Sequence, residues 1–330
     1  MSLKNNPILK SSKIRVGLTI GDPAGIGPAI TLKALKILKN KADFTVIGSS
    51  FVLAKAAKLL KVTLDSVKLI DLNNVKERNF NFGSLSAQNG AACLEYLDVA
   101  LELLKNNKID CLVTCPISKE AIHLPKANFS GHTEYLAFNT GCQDLVMLLM
   151  NNKLKFSLVT RHIRLRDVSS FLTQATLENN ILETVKGLQN LFLIRKPRLV
   201  VCGVNPHASD NGVIGTEERD IIIPVIKRLN KKFHPVVIDG VLGADLAISR
   251  AAKGKYDCVI AAYHDQALIA LKLTGFDSGV NLTLGLPFLR TSPLHGVAFD
   301  IAGKPALAEP GSLIAAIKLA IKCTLNQRKA

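Results

Sequence analysis

Three histidines stand at equivalent points along the chain. His162, His207 and His264 each follow a short apolar, largely β-branched run, at 158–160, 199–204 and 258–262. They lie 207 − 162 = 45 and 264 − 207 = 57 residues apart. Neither interval is a short metal-binding spacing such as His-Glu-x-x-His. Three imidazoles converging on one ion, with one coordination position left open, would make a catalytic metal centre. One such histidine reads as an ordinary polar loop residue. Three at matching positions, with Asp210, Asp245 and Asp265 nearby in sequence, favour a site. The carboxylates have the chemistry of ligands, of partners to the imidazoles, or of a base.

A second set of residues can grip an anion. Gly131-His132-Thr133-Glu134 precedes an apolar helical stretch. Thr133 is placed to cap that helix, and the free N–H groups of such a turn favour a phosphate beside His132. The run 279–292 is too apolar for a surface loop and ends in Arg290-Thr291-Ser292, a natural grip for phosphate or carboxylate. Lys272 is either a further clamp or a solvated lysine. Gly21-Asp22-Pro23-Ala24-Gly25-Ile26-Gly27-Pro28 joins a strand to a helix near 31–38. It is neither a Gly-x-Gly-x-x-Gly fingerprint nor a P-loop. Alone it reads as a tight turn whose glycines permit close backbone approach. A Gly-containing loop, His295 to Gly303, precedes a final helix at 313–321.

The elements that must position these groups alternate. Apolar runs at 14–20, 44–47 and 111–114 join the three above, and each ends in a Gly, Pro, Asp, Ser or His turn. Between them lie helical patterns, clearest at Leu94, Leu97, Leu101 and Leu104. Strands alternating with helices imply an α/β fold with a mostly parallel sheet. Ligands bind beyond the carboxyl ends of strands in such sheets, so the six polar turns are expected to feed one cleft.

Composition narrows the classes. A chain of 330 residues fits roughly two domains. A hydrophobic share of 48% excludes a disordered chain. No apolar run reaches the ~18 residues of a spanning helix, and residues 1–15 lack the apolar core of a signal peptide. Seven cysteines form no Cys-x-x-Cys pair, which implies reduced thiols and a cytoplasmic setting, with Cys111 and Cys115 as buried filler. The net charge is 42 − 26 = +16, which raises nucleic acid as a partner. No basic and aromatic residues interleave, there is no Trp, and no recognition helix or zinc-finger spacing occurs, so no specific nucleic-acid partner is expected. Half of the excess sits at the ends: Lys4, Lys10, Lys13 and Arg15, then Lys318, Lys322, Arg328 and Lys329. These read as basic tails.

Taken in order, the motifs identify a resemblance. Residues 15–321 resemble the 4-hydroxythreonine-4-phosphate dehydrogenase family of vitamin B6 biosynthesis. The match rests on Gly21 to Pro28, Cys115-Pro-Ile-Ser-Lys-Glu120, Gly131-His-Thr-Glu134, Asn205-Pro-His-Ala208 with Gly215, Glu217 and Glu218, Tyr263-His-Asp-Gln266, and Gly279 to Ser292. The resemblance implies an isocitrate/isopropylmalate dehydrogenase-like fold of two α/β/α domains with the active-site cleft between them. The expected division is a discontinuous domain, 1–125 with 275–330, carrying much of the cofactor side. A central domain, 126–274, carries metal ligands and the dimer interface.

It further implies that His162, His207 and His264 hold a divalent metal (Zn, Co or Mg) shared between the subunits of a homodimer. His132, Thr133, Lys272, Asn281 and Arg290 would contact a small phosphorylated substrate. His295, Gly296, Asp300 and Gly303 would lie on the NAD or NADP side. Asp245 is a candidate ligand or proton relay. The chain departs from the family pattern at Ala29, where an acidic residue is usual, and at Gly303-Lys304-Pro305, where Gly-Lys-Gly is usual. The implied reaction is oxidation of 4-phosphohydroxy-L-threonine, followed by loss of CO₂. Oxidation of phosphorylated D-threonate or D-erythronate is the sister alternative. A metal-dependent hydrolase built on the same histidines is the distant one.

Overall fold

The computed structural model describes residues 13–63, 68–124, 129, 131–233 and 236–329. The basic residues Lys4 and Lys10 lie outside these, as does the expected domain boundary near 125. One sheet contains β1 Arg15–Thr19, β2 Asp43–Gly48, β3 Lys68–Asp71, β4 Cys111–Thr114, β5 Val146–Met150, β6 Lys155–Leu158, β7 Arg198–Cys202, β8 Val237–Leu242, β9 Cys258–Ala261, β10 Val280–Leu284 and β11 Arg290–Pro293. Their spatial order is β3-β2-β1-β4-β11-β10-β5-β6-β9-β7-β8.

The first five strands of that order pair in parallel, and so do the last four. The three antiparallel steps, β11–β10, β10–β5 and β5–β6, all fall in the middle. The two parallel blocks therefore run in opposite senses. The six polar turns expected at one edge divide into two groups, those after β1, β2 and β4 and those after β6, β7 and β9.

Burial explains why these runs are strands. β4 and β9 are buried at every residue, as parallel strands covered on both faces must be. Alternate residues of β7 and β9 enter different cores. Leu199, Val201, Cys258 and Ile260 join a core with helices Gln174–Phe192 and Ile223–Lys232. Val200, Cys202, Val259 and Ala261 join a second core with helices Ala244–Ala252 and His264–Gly275.

Several local expectations need correction. The strand before His162 ends at Leu158 rather than spanning 158–160, because residues 159 and 160 only extend the ladder. The leucine pattern does lie on a helix, Ala87–Lys105, which buries Leu97 of that stripe. Cys93, Tyr96, Leu97 and Ala100 face the core, and Leu94, Leu101 and Leu104 are half-buried. The C-terminal basic segment is no tail. Helix Gly311–Gln327 buries Leu313, Ile317, Ala320 and Cys323, and Arg328 pairs with Asp110 at 3.1 Å. Among the described residues, no helix is long and apolar enough to cross a membrane. All seven cysteines are free, and Cys111 and Cys115 are buried as expected.

Candidate functional site

Arg290 opens β11, flanked by β4 and β10. Its side chain is 2% exposed. Nε and Nη2 donate to Thr114 Oγ1 at 3.1 and 2.6 Å, and Nη1 donates to Thr283 Oγ1 at 3.1 Å. Burial pushes its pKa down to about 10, and the nearby Glu134 carboxylate opposes that shift. No carboxylate among the described residues forms an ion pair with it.

His132 begins helix His132–Thr140 close enough to feel the Arg290 charge. Burial first, then Arg290, hold its imidazole well below the ordinary histidine value, so it is neutral. Its Nε2 is buried without a partner. Thr133 is buried inside this helix, and the cap position belongs to Gly131, which corrects the expected Thr133 cap. Asn281 projects from the same face of β10 as Thr283, and its Oδ1 is likewise buried and unpartnered. The structure thus gathers a buried cation, a neutral imidazole and unfilled polar atoms at the centre of the sheet.

The histidine edge is built differently. β6 and β9 pair with Leu158 opposite Ala261. The ladder continues past both strands: Val159 N–H donates to Ala261 O at 2.9 Å, and the Thr160 N–H and hydroxyl both donate to Ala262 O at 3.1 and 2.6 Å. This register brings the His162 and His264 rings to 5.4 Å between centroids. His264 Nδ1 lies 2.7 Å from Asp265 Oδ1. Partial desolvation, then the positive charge of Lys119 and the neighbouring His264, push the His162 pKa down to about 4.

His207 follows β7, the next strand beyond β9. It sits in a turn in which residues 207–211 all have positive φ, between 42° and 68°. Asn205 anchors that turn. Its N–H donates to Glu218 Oε1 at 2.8 Å, and its Nδ2 reaches Glu217 and Glu218 at 2.8 and 2.9 Å. The His207 side chain is 75% exposed, with Nδ1 3.2 Å from Asp210 Oδ2. Asp245 is exposed in the first turn of helix Ala244–Ala252. Lys272 is also exposed, with its ammonium 5.7 Å from the Phe276 ring centre.

Within one chain the structure therefore joins His162 to His264 and leaves His207 at the surface. No group of three His, Cys, Asp or Glu among the described residues is arranged to hold an ion. The donor chemistry nevertheless fits a divalent metal: a neutral imidazole at His162 offers a lone pair, and a second imidazole is beside it.

The loop from His295 to Gly303 lies on the turn after β1. Ile26 N–H donates to Val297 O at 2.9 Å, and a Cβ at Gly25 would sit 3.0 Å from that oxygen. Lys33 Nζ holds the downstream segment through Ala306 O and Ala308 O at 2.9 and 2.8 Å. Gly296 and Gly303 face open space, Asp300 is exposed, and His295 Nε2 is buried without a partner. An unfilled donor or acceptor beside open glycines fits a polar cofactor.

The turn after β1 also grips the end of β4. Gly21 has φ +70°, and a Cβ there would lie 2.3 Å from Pro116 O. Asp22 N–H donates to that oxygen at 2.9 Å, while Asp22 Oδ1 accepts from Ala24 N–H at 2.9 Å. Burial raises the Asp22 pKa to about 6.

Sequence reasoning did not single out Thr19, Asp22, Arg161, Thr114 or Glu134 as site residues. The first three carry buried side-chain atoms without partners, and the remaining such atoms among the described residues belong to His132, Asn281 and His295. Unfilled buried polar groups are rare in folded proteins. Here Asp22, His132 and Asn281 fall within the motifs, His295 within the Gly-containing loop, and Thr19 and Arg161 close beside a motif or a candidate histidine. Membership of the Gly21 to Pro28 motif was the available signal for Asp22, and adjacency to His162 for Arg161.

Comparison with known proteins places the whole chain in a family. The family described as pyridoxal phosphate biosynthetic protein PdxA matches residues 40–320. A 4-hydroxythreonine-4-phosphate dehydrogenase from Sulfurihydrogenibium sp. is 41% identical over 319 residues, 93% of this chain and 98% of the relative. A D-threonate 4-phosphate dehydrogenase from Cupriavidus necator is 38% identical over 321 residues, 92% and 95% of the two chains. The crystal structure of 4-hydroxythreonine-4-phosphate dehydrogenase from Klebsiella pneumoniae superposes with a TM-score of 0.83 at 34% identity, covering 95% of this chain and all of that one.

Proposed function

The chain belongs to the PdxA family and is an oxidoreductase, and on that premise we propose that it oxidises 4-phosphohydroxy-L-threonine with NAD⁺ or NADP⁺. The product, 2-amino-3-oxo-4-(phosphooxy)butanoate, is a β-keto acid. It loses CO₂ to give 3-amino-2-oxopropyl phosphate, which feeds formation of pyridoxal 5'-phosphate.

The observation that carries the reading is Arg290, a buried guanidinium held by two threonine hydroxyls, near Glu134 but in an ion pair with no acid among the described residues. A buried cation without an anion is costly, and a phosphate supplies the missing charge. His132, Thr133 and Asn281 complete that pocket, with Lys272 as a further clamp. Fixing the phosphate fixes the four-carbon chain, so that the alcohol lies near the histidine edge. His162, His264 and His207 would hold a divalent cation, Zn²⁺ or Co²⁺ by donor type rather than Mg²⁺, which supplies the chemistry of lowering the alcohol pKa. The loop with His295, Gly296, Asp300 and Gly303 would seat the nicotinamide cofactor, the hydride acceptor. Asp245 is a candidate ligand or proton relay.

A homodimer is part of the proposal. Ile269, Leu273 and Phe276, on and just beyond helix His264–Gly275, are 64%, 83% and 54% exposed, and Val213, close after His207, is 85% exposed. A second copy covering them would bring a surface histidine to the His162–His264 pair. A cytoplasmic setting agrees with seven free cysteines.

The test is cofactor reduction by the purified protein with 4-phosphohydroxy-L-threonine, before and after chelation. Reduction that is lost on chelation and restored by Zn²⁺ or Co²⁺ is expected. No reduction with either cofactor refutes the reading, and turnover indifferent to chelation removes its metal. The relative from Cupriavidus necator supports D-threonate 4-phosphate as a second reading. A higher kcat/KM for that sugar acid decides in its favour.

A further inference from the structure

We infer that Arg161 is a second anion anchor, which takes the carboxylate of the substrate at the end opposite its phosphate. The inference rests on the reading of the substrate as a phosphorylated hydroxy acid.

The position of Arg161 is set by the sheet. Thr160 is fixed through both its N–H and its hydroxyl to Ala262 O, and Arg161 is the next residue, immediately before His162. Its Nη1 is buried and has no hydrogen-bond partner. No ion pair or hydrogen bond ties its guanidinium to any described residue. Arg290 differs in this respect, because three bonds to threonine hydroxyls hold it.

The charges facing the adjacent His162 are Lys119, His264, Glu134 and Arg161 itself. Glu134 is the acid among them, and it forms an ion pair with neither arginine. A guanidinium partly removed from water lacks an acceptor here, and burial without one is unfavourable. Its planar fork matches a carboxylate through two parallel N–H···O bonds.

Placement assigns the two ends. Arg290 and His132 form one pole. Arg161 and His162 form the other. Glu134 lies near enough to act on both Arg290 and His162, so the two poles have one carboxylate as a common neighbour. A phosphate at the first pole and a carboxylate at the second leave the carbinol between them, beside the His162–His264 pair. Two anchors at a fixed separation also select chain length, because a longer or shorter acid cannot engage both.

The experiment uses the full-length protein with Arg161→Met, Arg161→Lys and Arg290→Met variants, each first checked for native circular dichroism. Two measurements are made. The first is kcat/KM for 4-phosphohydroxy-L-threonine and for its carboxamide. Wild type is expected to favour the carboxylate by about 10–100-fold, a range typical of one lost charge-assisted contact. Arg161→Met should bring that ratio near one, Arg161→Lys should keep part of it, and Arg290→Met should impair both substrates alike. An unchanged ratio in Arg161→Met overturns the inference.

The second measurement needs no turnover. Malonate, a small carboxylate without phosphate, should raise the melting temperature of wild type and Arg290→Met but not of Arg161→Met. Equal stabilisation of all three, or of none, also overturns it. If wild type fails to oxidise the phosphorylated acid while the malonate pattern holds, the substrate reading fails and the carboxylate anchor stands.

Discussion

Arg290 and His264 each begin an element, one a strand and the other a helix, yet their surroundings are opposite. Arg290 sits mid-sheet, with flanking strands on both sides supplying Thr114 and Thr283. The two backbone ladders that join β4 and β10 to β11 fix those hydroxyls, so the guanidinium is aimed before any ligand arrives. His264 stands where β9 ends. Its nearest polar partner is Asp265, whose side chain is 74% exposed, and its neighbour His162 rides on a loop. One centre is complete except for an anion. The other lacks a group to join its pair. On the proposed reading, rigid recognition sits where ladders converge, and the reactive edge is left to strand ends, where further residues or ligands can enter.

The largest test of that contrast removes the rigid centre. Arg290→Met deletes a buried cation facing a bound anion, a loss of about 2–5 kcal/mol of binding. We expect kcat/KM for the phosphorylated substrate to fall about 10²–10³-fold. The unliganded protein should melt no lower, because an uncompensated buried charge has been replaced by an apolar side chain of similar length. A large drop in unliganded melting temperature would show that Arg290 is a structural strut, and the contrast would fail.

A smaller effect probes the open edge. His264→Asn should weaken divalent metal binding by at least roughly 10–100-fold, the range seen when only the partners of a metal's ligands are altered. Metal content after dialysis against a limiting chelator measures this. Circular dichroism and the melting temperature of the metal-free protein should stay unchanged, since the ring is one-third exposed and has only Asp265 as partner. Full metal retention would remove His264 from the site.

What was legible in the sequence follows the same division. The histidines were found because each stands just past an apolar run, and that placement holds: β6, β9 and β7 are adjacent and carry His162, His264 and His207. Arg290 was legible from its apolar setting and its Thr-Ser neighbours. Its partners Thr114 and Thr283 were not, since the β4–β11 and β10–β11 pairings are non-local and no sequence period announces them. Nor did periodicity reveal the reversal between the parallel blocks, because three antiparallel steps at the centre of a sheet leave no mark in composition. The leucine stripe announced helix Ala87–Lys105 but not the whole of its buried face. Tyr96 and Cys93 pack inward because neighbouring elements, not residue type, decide which face is covered.

Asp22 separates position from burial. It is carried on a turn, as the histidines are, yet it is fully buried, as Arg290 is. If burial governs the chemistry, its carboxyl should be a destabilising charge above a pH near 6. The ordinary value is 3.8 and the folded value about 6. Below pH 3.8 both folded and unfolded chains hold the proton. Between the two values the folded chain still holds it and the unfolded chain has released it, so stability falls as pH rises. Above about 6 both are ionised and the loss is complete, about 3 kcal/mol at most. Asp22→Asn keeps an oxygen to accept from Ala24 N–H and carries no charge. Its stability relative to wild type should therefore climb by about 1–3 kcal/mol from pH 4 to pH 7.5, read from paired urea melts. Other carboxylates titrate equally in both proteins and cancel. A flat difference across that range would mean that the turn shields Asp22 as well as water does, and that the element a residue rides on, rather than its burial, sets its charge.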